Sequence, residues 1–303
     1  MIYDLIIIGA GPAGMTAALY ALRAEKKVLL LDGNGYGGQI TQSREVENYP
    51  GIANVNGMDL AEALMAQINA LGVEFQFAQV SGIVQNGGIF SVNADTASYE
   101  GRSVIVATGL KHRKLGVAGE EQYIGRGVSF CAVCDGAFFR RREVAVVGGG
   151  NTAVQDALFL SEICSKVYLI HRREGFRAEE SLLTKAKNAE NIEIITNTTV
   201  SGMRGEMLLR SLLLKNKVTG EERELEVSGV FEAVGLEPQN KLLEGLITLD
   251  EDGYVAAGED CKTNVAGIFV AGDCRSKQIR QLTTATADGT VAALAALDYL
   301  DRN

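Results

Sequence analysis

The chain of 303 residues is predicted to be an α/β protein built from two Rossmann-like dinucleotide-binding domains, the second inserted into the first. Three observations carry this. A strand–glycine–helix–strand unit occurs twice, and the two copies share their internal spacing. The closing stretch, 283–299, is too short for a domain of its own and is expected to return to the first.

The first copy opens on an apolar run at residues 5–8, followed by GAGPAG (9–14) and a helical stretch through Ala24. Its second strand, at 28–31, ends at Asp32. The second copy runs from 144–147 through GGGNTA (148–153) and a helical stretch to Ile163. Its second strand, at 167–170, ends at His171. Gly9 to Asp32 and Gly148 to His171 are the same distance along the chain. Between the copies, residues 59–71 are expected to be a helix with Asp59 as N-cap and Glu62 three positions later. Residues 90–94 and 98–106 are expected to be strands of a small antiparallel layer. The glycine-containing, charged stretch 109–121 leads into the second domain, and VGLEPQN (234–240) leads back. GIFVAGD (267–273) then gives a strand ending on glycine and aspartate, and 283–299 a closing helix. The expected boundaries are 1–111 and 240–303 for the first domain, and 112–239 for the second.

Composition excludes several classes. With 47% hydrophobic and 22% charged residues the chain reads as a folded globular protein. A net charge of −9 gives a nucleic-acid partner no electrostatic support, and the basic clusters at 140–142 and 172–177 are too local for a groove. The apolar N-terminus carries Asp4 and breaks into glycines, so it reads as a buried strand rather than a signal peptide. No run has transmembrane length. The expected compartment is a reducing cytoplasm, where a lasting structural disulfide is disfavoured.

Each motif has a chemical reason. Gly9 permits a tight turn, Gly11 lets the backbone approach a pyrophosphate, and Gly14 lets the helix pack close to the strand. The helix N-terminus adds amide donors, and Asp32 can accept from both hydroxyls of an adenosine ribose. The second copy keeps Gly148, Gly150 and Ala153 but ends in HRREGFR instead of an acid. Arg172, Arg173 and Arg177 suit a ribose 2′-phosphate. That contrast assigns NADPH to the second domain and leaves another dinucleotide, most simply FAD, for the first.

Five cysteines remain to be explained. Cys131 and Cys134 form a C-x-x-C pair in SFCAVCDG, whereas Cys164, Cys261 and Cys274 stand singly and read as buried apolar residues. A zinc site needs four ligands, and only His112 and His171 could supplement the pair, so no metal is expected. The spacing favours reversible disulfide chemistry. Asp135 is either a proton donor and acceptor for it or a plain helix-start acid.

Together these segments resemble the low-molecular-weight bacterial thioredoxin reductases along nearly the whole chain. The matching stretches are GAGPAG, GGQI with EVENYPG (37–51), ATG (107–109), CAVCDG, GGGNTA, HRREGFR, and AGD followed by Arg280–Gln281. The resemblance implies FAD at Gly9, Gly11, Gly14 and Asp32, with Gln39, Asn48, Asp273, Arg280 and Gln281 along its length. It implies NADPH at Gly150, Asn151, Thr152, Arg172, Arg173 and Arg177. Cys134 matches the cysteine against the flavin, and Asp135 the acid beside it. Electrons would pass from NADPH through FAD and the dithiol to a thioredoxin, with rotation of the NADPH domain, in a homodimer. Val133, Ile279 and Gln239 stand where threonine, tyrosine and a directly following asparagine are usual. These departures bear on acceptor choice: a glutaredoxin-like redoxin, a peroxiredoxin or oxygen are the alternatives. No redoxin-like extension is seen, so a separate redoxin is expected. A ferredoxin-driven relative would have no use for HRREGFR, and a non-catalytic dinucleotide sensor none for the cysteine pair.

Overall fold

The computed structural model describes residues 1–43 and 46–303; Glu45 of EVENYPG lies outside the described residues. The chain divides into two compact units, Met1–Lys111 with Glu237–Asn303, and His112–Leu236.

In chain order, the first unit begins with β1 (Ile2–Ile8), α1 (Pro12–Arg23), β2 (Val28–Asp32), α2 (Gly57–Asn69), β3 (Glu74–Phe77), β4 (Val80–Asn86), β5 (Ile89–Ala94) and β6 (Ser98–Val106). The chain leaves along β7 (Leu110–His112). The inserted unit holds α3 (Glu120–Tyr123), β8 (Val128–Ser129), α4 (Ala132–Asp135), β9 (Glu143–Gly148), α5 (Asn151–Ser161), β10 (Lys166–Ile170), α6 (Glu180–Asn188) and β11 (Ile192–Ile195). It continues through β12 (Thr198–Gly205), β13 (Leu209–Asn216), β14 (Glu222–Glu226) and β15 (Gly229–Ala233). The chain returns along β16 (Leu236–Pro238), which pairs with β7, and ends with β17 (Ile268–Val270) and α7 (Leu282–Arg302).

The first unit is one seven-stranded sheet in the order β3-β2-β1-β6-β5-β4, with β17 also on β6. Strand β1 is apolar without alternation because both faces are covered. Leu5 and Ile7 face a cluster with Ala17, Ala18 and Ala21 of α1 and Ala292, Ala293 and Ala296 of α7. Ile6 and Ile8 face the opposite cluster with Leu29, Leu31, Val104 and Ile268. The small residues of α1 and α7 let those helices lie close together and against the sheet. The expected antiparallel strands are present as β4-β5-β6, and they are continuous with the parallel sheet. Strand β6 pairs with β5 over Ser98–Gly101 and with β17 over Val104–Val106, while β1 runs along its other edge. One strand therefore joins the parallel and antiparallel parts into a single sheet. A correction concerns α2. Its N-cap is Asn56, whose side chain accepts from Met58 N–H, and Asp59 lies inside the first turn.

The inserted unit is a five-stranded parallel sheet, β11-β10-β9-β15-β8, with a three-stranded antiparallel sheet, β12-β13-β14. Val144, Val146 and Phe231 pack towards α5, and Ala145, Val147 and Val230 towards the antiparallel sheet. In both units the glycine turn leaves the carboxyl end of a central parallel strand, where such sheets open to ligands. Among the described residues no helix is long and apolar enough to cross a membrane.

Candidate active site

In the first unit the glycine turn is shaped by backbone approach. Gly9 has φ +108°, and a Cβ there would strike the Ala107 carbonyl; one at Gly14 would strike the Gly9 carbonyl. Gly11 differs, because a Cβ there would meet nothing nearer than the Gly38 Cα at 4.0 Å. Packing does not demand glycine at this position, which directly precedes the N-terminus of α1, with Pro12 in its first turn and no side-chain cap. Asp32 lies beside it, accepting from Ala10 N–H at 2.8 Å and Asn34 N–H at 2.7 Å.

The remaining residues expected along the first dinucleotide fall in the same unit. Gln39 donates to the Leu110 carbonyl at 2.7 Å, and Asn48 donates to the Gln281 side chain at 3.3 Å. Asp273 and Arg280 show the clearest need for a ligand. Asp273 Oδ1 and Arg280 Nε are buried and lack any hydrogen-bond partner, an arrangement that is costly unless something else supplies one. Burial pushes the Asp273 carboxyl up, opposed by the charges of Lys277 and Arg280. The Arg280 guanidinium also lies 4.3 Å over the Tyr254 ring.

Two anchors of this region have no signature in the sequence. Asp288 of α7 accepts from Gly272 N–H at 3.0 Å, from both Arg275 Nε and Nη2 at 2.9 Å, and from Lys277 Nζ at 2.9 Å. Burial pushes its carboxyl up, but the bonds from Arg275 and Lys277 outweigh that and hold it below the usual range. Asn240, fully buried, accepts from Thr108 and donates to the Cys274 and Gly253 carbonyls. It ties the ATG turn to the loop after Asp273.

In the inserted unit the second glycine turn repeats the first. Gly148 lies against the Ala233 carbonyl, while a Cβ at Gly150 would meet nothing within 4 Å. Asn151 and Thr152 begin α5 and are exposed. Arg172, Arg173 and Arg177 are exposed as well, and none has a side-chain hydrogen bond or ion pair among the described residues. His171 organises their loop. It is buried, stacks on Phe176 at 4.7 Å and contacts the Gly175 carbonyl at 3.2 Å, and burial lowers its pKa.

Cys131 and Cys134 are joined by a disulfide with Cα atoms 5.3 Å apart. Cys131 is the N-cap of α4, its Sγ accepting from Cys134 N–H at 3.2 Å. Asp135 is pinned by Ser129, which donates to its Oδ2 at 2.7 Å and accepts from Cys131 N–H at 3.1 Å. Ser129 is a part of this arrangement that spacing alone does not signal. A cleft of about 930 Å³ in the same unit reaches this loop, lined by Ser129, Asp135, Phe138, Arg126, Arg142 and Arg210. Cys164, Cys261 and Cys274 are buried free thiols, as expected.

The comparisons agree with this chemistry. Residues 3–289 match the family model described as pyridine nucleotide-disulphide oxidoreductase. A thioredoxin reductase of Listeria innocua is 44% identical, with 99% of this chain and 94% of that protein aligned. A bifunctional thioredoxin reductase/thioredoxin of Mycobacterium leprae is 42% identical, over 99% of this chain and 66% of that protein. The crystal structure of Lactococcus lactis thioredoxin reductase superposes with a TM-score of 0.83 at 41% identity, covering 99% of this chain and all of that one. A flavin and a pyridine nucleotide are the cofactors such a family implies, and the open glycine turns and orphaned buried groups fit them. With its disulfide, its paired dinucleotide folds and these relatives, the chain belongs to the pyridine nucleotide-disulphide oxidoreductase family, among its low-molecular-weight thioredoxin reductases.

Proposed function

We infer that the protein is an NADPH-dependent thioredoxin-disulfide reductase containing FAD. The observation that carries this is the Cys131–Cys134 disulfide, closed in the same unit as a second glycine turn with three unpaired arginines beside it. Asp32 would hold the adenosine ribose of FAD, and the N-terminus of α1 its pyrophosphate. Asp273 and Arg280 would gain their missing partners from it. Arg172, Arg173 and Arg177 would hold the 2′-phosphate of NADPH at the Gly148–Thr152 turn. Bound FAD would take reducing equivalents from NADPH and pass two electrons to the disulfide.

The chain's own groups account for the rest. Once reduced, Cys131 keeps the hydrogen bond from Cys134 N–H, which favours its thiolate. That thiolate attacks the thioredoxin disulfide, forming a mixed disulfide and expelling one partner thiolate. Cys134 then attacks Cys131 of the mixed bond, which restores the internal disulfide and releases the second partner thiol. Asp135, held by Ser129, is placed to take and return a proton. The inserted unit hangs on two crossings, and the reading includes its rotation about them, a homodimer and a cytoplasmic location.

In anaerobic solution, NADPH should bleach the yellow protein. Cys131→Ser and Cys134→Ser should each abolish thioredoxin reduction while sparing that bleaching. Thioredoxin turnover persisting in both variants would sink the dithiol route. A panel of glutaredoxin-like redoxins, peroxiredoxins and oxygen tests the acceptor.

A further inference from the structure

The glycine turn and the arginine loop of the inserted unit are fastened by a pair of side chains. Asn151 opens α5 with its amide fully engaged. Its Oδ1 accepts from Glu179 N–H at 2.8 Å, and its Nδ2 donates to Glu179 Oε1 at 3.1 Å. The backbone supports the same junction, since Arg177 N–H donates to the Gly149 carbonyl at 2.7 Å. The His171 ring fills the space a Gly149 Cβ would need.

Glu179 stands two residues beyond Arg177, and both are exposed. A free carboxylate there would be drawn to the nearest guanidinium, yet its bonds are to Asn151 and the arginines carry none among the described residues. A carboxylate released into the cluster would neutralise one cation and repel an incoming phosphate.

We propose that Asn151 is a positioning residue for nucleotide specificity: it holds the Glu179 carboxylate off Arg172, Arg173 and Arg177, keeping three cations free for a ribose 2′-phosphate. The amide acts through Glu179 rather than on the nucleotide's phosphate. The proposal rests on the assignment of NADPH to this unit.

The test compares the parent with Asn151→Ala, Glu179→Gln, the Asn151→Ala/Glu179→Gln double variant and Arg173→Ala. Calorimetric Kd values for NADP⁺ and NAD⁺ are measured beside kcat/KM for NADPH and NADH. Asn151→Ala should lower the preference for the phosphorylated nucleotide by about tenfold, the scale of one misplaced surface charge. Removing the released charge in the double variant should bring the preference back to within about threefold of the parent. Glu179→Gln alone should keep the preference, since its amide oxygen still accepts from Asn151. An unmoved preference in Asn151→Ala, or a double variant as poor as the single one, overturns the proposal. Arg173→Ala separates the two layers. Its failure to weaken NADP⁺ binding overturns the assignment of NADPH to this loop. A loss there with Asn151→Ala unaffected overturns the role of Asn151 alone.

Discussion

Glu232 of β15 and Glu120 of α3 are each only 2% exposed, and both are acids. Glu120 is satisfied by three backbone donors, Leu115, Gly116 and Val117 N–H, at 2.9, 2.6 and 3.1 Å. Glu232 has no hydrogen-bond partner of good geometry for either oxygen. Burial, and then the neighbouring Glu120, push its carboxyl up to about 9. The sign follows directly. The folded state retains a proton that the unfolded chain releases above its ordinary value of 4.5. Stability therefore falls as pH rises from that value towards about 9, with a slope of at most about 1.4 kcal/mol per pH unit. Glu232→Gln should remove this dependence. Urea unfolding should show the variant gaining on the parent between pH 5.5 and 8.5, and a constant difference would refute the retained proton on Glu232. Nothing in the sequence announces this pair, because the two acids are brought together by non-local packing.

At the scale of elements, what the sequence shows best is what repeats locally. The strand–glycine–helix openings are visible because Gly9 and Gly148 must sit where backbone approaches backbone. The closing helix is visible because alanines recur along it. The partners that hold those elements are not. Asp288 sits inside α7 as an isolated acid, and only the fold brings Gly272, Arg275 and Lys277 to it. Asn56 caps α2 with Asp59, not a glutamate or glutamine, three residues on, so the capping-box pattern pointed to Asp59 with Glu62 instead. Arg275 and Lys277 side chains are 2% and 5% exposed, so Asp288→Asn would remove the buried charge they share, leaving Arg275 with only the exposed Glu259 as counter-charge. Breaking a buried ion pair this way costs about 3–5 kcal/mol. The variant should melt at lower temperature and lose its flavin more readily in dilute urea. A parent-like melting temperature would show that the network is not what holds the Gly272–Asp273 turn.

For the whole molecule, the repeat of one unit was enough to read the architecture, whereas the continuity of the seven-stranded sheet was not. Strand β6 serves two partners along one edge, and residue alternation alone carries no information about which strands share it. The crossings carry the last consequence. The chain passes between the two units at β7 and β16, and Gly235 directly precedes β16 with φ +110°. That conformation is open to glycine and strained for any residue with a Cβ. If turnover alternates two orientations of the inserted unit, strain at one crossing biases the balance between them. Gly235→Ala should then lower steady-state thioredoxin reduction several-fold, of the order expected for about 1–2 kcal/mol of backbone strain. NADP⁺ affinity measured by calorimetry should stay at the parent value, since the Gly148–Thr152 turn and the arginines belong wholly to the inserted unit. Loss of NADP⁺ binding would mean that the substitution has damaged the nucleotide fold. Unchanged turnover would mean that the crossing at Gly235 plays no part in the cycle.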